Sequence, residues 1–416
     1  MRIAIVGAGW GGLAAAVAAV ERGHAVTVFE AARTPGGRAR SLSVGELTLD
    51  NGQHILIGAY VDTLRLMERV GVRLDEALLR LPLVLRHPDG TGIALPPWPS
   101  PLDAAAGILT ARGWTWRDKA SLLRASLAWQ RAGFRCAPGA SVADLCSRVT
   151  QRVRDDLIEP LCVSALNTPA AQSSGAVFLR VLRDSLFGRG HGRWGASNLL
   201  LPRQDLGRLF PHAAVAWLEA RGAETRIGQR VQAVSATDAR CAVDGERFDA
   251  VVLACPAPEA ARLARGAGPA GLAWAGLADA LGHEAIATVY ATGGPRLPCP
   301  MLALRTAADA PAQFVFDRSQ LGGPAGLLAF VVSASHGDRE TLQAQVLAQA
   351  RALGWNVQAL QTVVEKRATF ACVPGLVRPP AAVGPRLWAC GDYVEGPYPA
   401  TIEGAVRSGL QVAALL

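Results

Sequence analysis

Two hydrophobic periods alternate over the first thirty residues. Ile3-Ala4-Ile5-Val6 is a continuous apolar run of strand length, and Leu13 to Arg22 has helical length and small apolar content before Gly23 ends it. Between them Gly7-Ala8-Gly9-Trp10-Gly11-Gly12 predicts a tight turn, and Ala25-Val26-Thr27-Val28-Phe29-Glu30 predicts a second strand ending in an acid. Strand, glycine turn, helix and strand form the parallel unit that opens a doubly wound sheet. Strand-like runs bounded by Gly or Pro return only far downstream, at Ala223 to Val234, Phe248 to Ala254 and Arg386 to Cys390, the last followed by a glycine-rich stretch and a terminal helix. The pattern predicts an α/β chain with one Rossmann-like domain assembled from three segments, 1–59, 200–262 and 366–416.

Two insertions separate those segments. Residues 60–199 read as mainly helical. Residues 263–365 mix strand runs, Ile286 to Tyr290 and Leu327 to Ser333, with a helix from Arg339 to Leu353. Together they predict an α+β substrate domain. Within the first insertion, Ile93 to Pro99 and Leu102 to Trp116 are rich in Pro, Leu and Trp, and a basic helix with Arg117, Lys119, Arg124 and Arg131 follows. Tryptophan beside cations suits a membrane interface. The edge of a core beside a solvated helix face accounts for the same residues.

Composition narrows the classes. At roughly 150 residues per domain, 416 residues give two or three domains. A half-apolar chain with 18% charged residues is not disordered. The net charge of +8 is almost all arginine, scattered along the chain, with Lys119 and Lys366 the only lysines. No basic stripe interleaved with aromatics is present, so nucleic acid is not expected as a partner, whereas an anionic membrane surface is compatible with the charge. Eight cysteines without CxxC or His-Cys spacing read as small buried hydrophobes of a reducing cytosol, not as a metal site. Arg2 and the run to Val20 have the outline of a secretory signal, but the glycine turn and second strand argue for a folded domain. No stretch holds the roughly 20 apolar residues of a spanning helix.

The chemistry begins at the glycine turn. Gly7, Gly9 and Gly12, with Trp10 and Gly11 between them, let backbone N–H groups approach a pyrophosphate at a helix N-terminus, and Glu30 is placed to accept the ribose hydroxyls of an adenosine. NAD and FAD share this fingerprint. Pro35-Gly36-Gly37-Arg38-Ala39-Arg40-Ser41 follows directly, Trp388-Ala389-Cys390-Gly391-Asp392 comes near the end, and Ala400-Thr401-Ile402-Glu403-Gly404-Ala405 opens the last helix.

These three motifs resemble those of FAD enzymes of the amine oxidase and phytoene desaturase superfamily. The resemblance implies that Gly36, Gly37 and Arg38 lie against the pyrophosphate and that Val231 meets adenine through its backbone. It places Gly391 and Asp392 at the ribityl chain, and Ala400, Thr401 and Ile402 toward the isoalloxazine ring. Thr401 stands where amine oxidases carry a cage aromatic, and no cysteine occupies a flavin-linkage pattern. Noncovalent FAD is therefore expected, and amine oxidation loses ground.

A nearer resemblance rests on Asp50-Asn51-Gly52-Gln53-His54-Ile55-Leu56-Ile57-Gly58-Ala59-Tyr60, Leu182 to Gly188, Leu199 to Arg203 and Pro399 to Gly409. These segments resemble the hydroxysqualene dehydroxylases, the squalene-associated FAD-dependent desaturase-like enzymes, over nearly the whole chain. The resemblance implies hydroxysqualene, an isoprenoid alcohol, as substrate and squalene as product, in hopanoid biosynthesis. Protonation of the hydroxyl would release water, and reduced FAD would supply hydride, so an electron donor is required. Gly52 and Gln53 join the expected cofactor contacts, and His54 is the candidate catalytic proton donor; a histidine that caps its loop fits the same position. Asp184 and Arg203 read as a substrate-domain ion pair or as polar groups of the pocket, the ion pair being the default since buried charges are normally paired. The greasy substrate implies peripheral attachment to the inner face of the cytoplasmic membrane. Carotenoid or polyprene desaturation is the alternative within the superfamily.

Overall fold

Glycine governs the entry into the fold. In a computed structural model that describes residues 1–98, 101–237 and 240–416, β1 (Arg2–Val6) runs into Gly7, and α1 (Trp10–Glu21) begins three residues later. Gly7 has φ of +119°, and a Cβ there would lie 2.6 Å from the Ala254 carbonyl oxygen. The helix starts at Trp10, not after Gly12. Gly11 and Gly12 are helical residues whose missing side chains serve close packing, since a Cβ on Gly12 would lie 2.0 Å from the Gly7 carbonyl oxygen.

After β2 (Ala25–Glu30) the chain leaves the sheet and builds α2 (Leu102–Thr110), α3 (Trp116–Arg131) and α4 (Gly175–Phe187) among other elements. A capping box between Thr115 and Asp118 fixes the start of α3. The chain returns with β3 (Glu224–Ile227) and β4 (Ala250–Leu253). The run Ala223 to Val234 is thus two elements: Gly228 ends β3 at φ +80°, and Val234–Ala236 joins a separate three-stranded sheet. A second excursion supplies β5 (His283–Thr292), β6 (Met301–Ala303), β7 (Phe314–Asp317), β8 (Leu328–Ser333), α5 (Arg339–Ala352) and β9 (Gln358–Phe370). β10 (Ala382–Gly384), β11 (Leu387–Ala389) and α6 (Ile402–Leu415) complete the chain.

The first sheet has the order β3-β2-β1-β4-β11-β10, parallel except for the last pair. Its strands come from three distant stretches of sequence, as the apolar pattern predicts. β1 is central and fully apolar after Arg2, pairing Ile5 with Val28 on one side and Val252 on the other. α6 lies across α1, and a Cβ on Gly409 would stand 2.1 Å from the Gly11 carbonyl oxygen.

The second sheet, β6-β7-β8-β5-β9, is antiparallel. Its residues alternate faces, as period two requires. Ala287, Val289, Val315 and Phe330 pack with Leu342 and Val346 of α5, while Phe314, Phe316 and Val331 belong to the opposite core. Among the described residues no helix is long and apolar enough to cross a membrane.

Gly409→Ala should force α1 and α6 apart. Overpacking of this kind costs about 1–3 kcal/mol. A lowered thermal midpoint of the flavin-free protein is expected in calorimetry, and an unchanged midpoint would show that the helices adjust freely.

Candidate functional site

A cavity of about 1160 Å³ runs from the parallel sheet to the antiparallel one. It begins where Val6, Glu30 and Ala254 end or follow β1, β2 and β4, and where Gly391 and Asp392 follow β11. Strand order reverses between β1 and β4. Such a switch point at the carboxyl ends of parallel strands is where open α/β sheets bind ligands.

The glycine segments build a cradle there. Gly9 bridges to Gly36, and a Cβ on Gly37 would sit 3.3 Å from the Gly9 Cα. Gly9 caps α1 without a side chain, so the first-turn N–H groups, which have no partner within a helix, are left without a cap where Gly9, Trp10 and Gly11 line the cavity. Glu30 lines the wall with both oxygens oriented: Oε2 accepts the Ala8 N–H at 2.8 Å and Oε1 the Ala32 N–H at 2.8 Å. Each oxygen retains a further lone pair for a ribose hydroxyl. Val231 also lines this end, with its carbonyl held by Arg262 Nη2 at 2.9 Å. The Trp10 indole turns into the protein, donating to the Ala39 carbonyl at 3.2 Å and packing on Phe210, so only its backbone serves the turn.

Arg38 differs from the expectation. Its guanidinium is bonded to Asp392 Oδ1 at 2.5 Å and to the Ala368 carbonyl at 2.6 Å, which joins the two motifs expected at opposite parts of the cofactor. Burial works against the arginine charge, but Asp392 outweighs it and the pKa is raised. Ala400, at φ +57°, precedes Thr401, whose Oγ1 donates to the Tyr398 carbonyl at 2.7 Å and accepts the Gly404 N–H at 3.0 Å. Ile402 then opens α6, so all three expected residues line the cavity.

The loop from Asp50 to His54 is a polar strip at the same cavity. His54 Nδ1 lies 3.0 Å from the Gly52 carbonyl. A carbonyl only accepts, so Nδ1 carries the hydrogen and Nε2 is the free nitrogen. Burial lowers the His54 pKa against the effect of the Gly52 hydrogen bond. Gln53 Oε1 accepts from Arg318 Nη1 at 3.0 Å, and Arg318 Nη2 stands 3.7 Å from Asp50 Oδ2. Burial pushes the Asp50 pKa up to about 6 although Arg318 and the Leu206 N–H oppose it. Asn51 Nδ2 reaches the Arg38 carbonyl at 3.0 Å and Glu365 Oε2 at 3.2 Å.

Sequence reasoning missed Arg318 and Glu365. Neither sits in a motif, and each lies more than 250 residues from the loop it meets. The expected Asp184–Arg203 pair does not form. Asp184 instead accepts from Arg180 Nε at 2.5 Å, one helical turn back on α4, from the adjacent Arg183 Nε at 2.8 Å and from the Tyr398 hydroxyl at 2.5 Å.

Beyond these groups the cavity walls are mostly apolar, Leu122, Phe178, Phe314 and Phe316 among them, with polar residues such as Gln130 and Asn167 interspersed. It extends to Leu102, Leu127 and Phe187, which are exposed, as are Trp98, Leu109 and Trp116. Trp114 corrects the predicted surface: it is buried and donates to Asp156 Oδ2 at 3.1 Å. Pro99, in the same predicted run, lies outside the described residues. The side-chain-free cradle, the oriented Glu30 and the motifs from both ends of the chain fit FAD.

The family described as flavin containing amine oxidoreductase matches residues 10–416. The chain is 29% identical to a hydroxysqualene dehydroxylase of Rhodopseudomonas palustris, over 99% of this chain and 97% of that protein. It is 27% identical to one of Sinorhizobium fredii, again over 99% and 97%. An oxidoreductase from Methanosarcina mazei has a similar fold, with a TM-score of 0.76 at 18% identity over 100% of both chains.

Glu30→Ala should weaken FAD binding by about tenfold or more, the scale of losing hydrogen bonds to a charged acceptor. Titration of the flavin-free protein with FAD measures it, and unchanged affinity would make Glu30 a purely structural acid.

Proposed function

Because the chain belongs to the flavin containing amine oxidoreductase family and is an FAD-dependent oxidoreductase, we propose that it converts hydroxysqualene to squalene by reductive dehydroxylation in hopanoid synthesis. One observation carries the reading. A single cavity joins the dinucleotide cradle to a long apolar chamber whose loop at the junction bears His54. A C30 isoprenoid alcohol needs such a chamber for its chains and a proton donor for its hydroxyl.

Glu30 and the N-terminus of α1 would hold the adenosine and pyrophosphate portions of FAD, while Arg38, Asp392 and Thr401 would line the remainder. FAD, bound and reduced, supplies a hydride equivalent. The apolar walls hold the isoprenoid chains and keep bulk water from the ionising carbon. His54 holds its Nδ1 hydrogen on Gly52, so the transferable proton is the one on Nε2 of the imidazolium. Burial makes that imidazolium a stronger acid and a scarcer one. As the hydroxyl oxygen takes the proton, the C–O bond breaks and its electron pair leaves with water.

The exposed Trp98, Leu102, Leu109 and Trp116 form an apolar rim beside α3, which also carries Arg117, Arg124 and Arg131. Lys119 Nζ lies 5.0 Å from the Trp116 ring centroid. This rim serves peripheral docking on an anionic membrane, at the inner face of the cytoplasmic membrane, from which an insoluble substrate enters beside Leu102 and Leu127. A separate electron donor would be needed to return the bound cofactor to its reduced form.

Anaerobically reduced holoenzyme mixed with hydroxysqualene should reoxidise and yield squalene. A new double bond formed by the oxidised enzyme from a polyprene, without loss of hydroxyl, would favour desaturation. His54→Ala should slow flavin reoxidation by about a hundredfold or more, with FAD still bound. The wild-type rate should rise as pH falls below 6.5 and decline as pH rises through the lowered His54 pKa, since the acid form disappears. A pH profile shared by wild type and His54→Ala would remove this residue from proton transfer.

Replacing Trp98 and Trp116 together with polar residues should reduce flotation with anionic liposomes while FAD content is retained. Trp114 is left intact because its burial makes it part of the core. Equal flotation would exclude the rim as the docking surface.

A further inference from the structure

Protonation and loss of water leave a positive charge on the allylic carbons, and an apolar chamber solvates such a charge poorly. A fixed negative group near the ionising carbon is therefore worth more here than in water. Among the described residues five carboxylates line the cavity: Glu30, Asp184, Glu259, Glu365 and Asp392. Asp184, Glu259 and Asp392 are each bonded to arginine. Glu30 stands at the adenosine end with both oxygens on backbone N–H groups. Glu365 remains.

Among the described residues Glu365 makes no ion pair with arginine or lysine. It is half-buried on β9, and its position is fixed by neutral donors only, Asn51 Nδ2 at 3.2 Å and the Arg367 N–H at 3.3 Å. Asn51 is part of the loop that carries His54, so the free carboxylate is tied to the segment holding the proton donor. The nearby Arg38 guanidinium is committed to Asp392 and the Ala368 carbonyl. Arg38 and Glu365 still act on one another through space, each favouring the other's charge, but no cation is bonded to the Glu365 oxygens, which neutral donors orient.

We propose that Glu365 is a catalytic residue that stabilises the allylic cation formed when the C–O bond breaks. The hydroxyl oxygen departs as water with the bonding pair and the donated proton. The carbon skeleton then carries one positive charge, facing the Glu365 carboxylate until the hydride equivalent of reduced FAD neutralises it. This assignment rests on the dehydroxylation reading.

A permanent cation tests it without turnover. Farnesyltrimethylammonium and its neutral analogue with a tert-butyl group in place of the ammonium are titrated into oxidised holoenzyme, and binding is followed by the visible FAD spectrum. Wild type should prefer the cation by about tenfold or more, given the strength of a charge pair at low effective dielectric. Glu365→Gln should abolish that preference while binding the neutral analogue as wild type does, and Glu365→Asp should retain part of it. Slower flavin reoxidation by hydroxysqualene in Glu365→Gln, by about a hundredfold, should accompany the lost preference. A preference unchanged in Glu365→Gln and Glu365→Asp, or absent in wild type, would overturn the proposal. If the preference depends on Glu365 but hydroxysqualene never reoxidises the reduced holoenzyme, the cation site stands as a binding site and the dehydroxylation reading fails.

Discussion

The packing of backbone on backbone at the amino-terminal turn constrains everything else. Gly12 lies against the Gly7 carbonyl and Gly409 against the Gly11 carbonyl, so β1, α1 and α6 approach more closely than side chains would allow. That approach brings the first and last segments of the chain to one site. The N-terminus of α1, the Gly36-Gly37 turn and the start of α6 then share a cavity because their backbones touch. Positive φ at Tyr398 and Ala400 shows how closely the entry to α6 is held. Such left-handed residues cost roughly 1–2 kcal/mol each and persist where the surroundings fix the backbone.

A buried polar strip crosses this frame. Asp50 and Arg318, both buried, clasp the loop between the two sheets, and Gln53 takes the other Arg318 nitrogen. Breaking one side of a buried charge pair typically costs about 3–5 kcal/mol, because the other charge is left unpaired. The loop is thus tied to the antiparallel sheet through Arg318, immediately after the strand whose Phe314 and Phe316 wall the chamber. The glycine-lined cradle and the apolar chamber meet through this clasp. His54 and, through Asn51, Glu365 belong to this same loop region, one with a hydrogen-bonded ring and the other with its oxygens on neutral donors.

The tryptophans divide by their partners. Trp114 finds Asp156 as acceptor and is buried with it, whereas Trp98 and Trp116 lie exposed beside α2 and α3. An indole buried in an apolar core needs an acceptor for its N–H. The sequence places all three in one Pro-Leu-Trp run and does not show which of them has an acceptor.

Much of the cofactor end was legible along the chain, because its signals are local. Gly7, Gly9 and Gly12 follow one strand, Glu30 ends the next, and Thr401 caps a helix, each dictated by neighbouring residues. The apolar runs likewise determined which segments enter the parallel sheet and which are insertions. The helix start at Trp10 was hidden, since a glycine chosen for packing looks like a glycine chosen for a turn. Partners of charged groups were hidden for a different reason. Asp184 turned to Arg180, Arg183 and Tyr398, Arg38 to Asp392, and Glu365 to Asn51. Hydrogen bonds and ion pairs act over about 3 Å, a distance that sequence separation does not encode, so the sequence determined the chemical groups and their local backbone, and only the tertiary structure decided which of them face one another across the cavity.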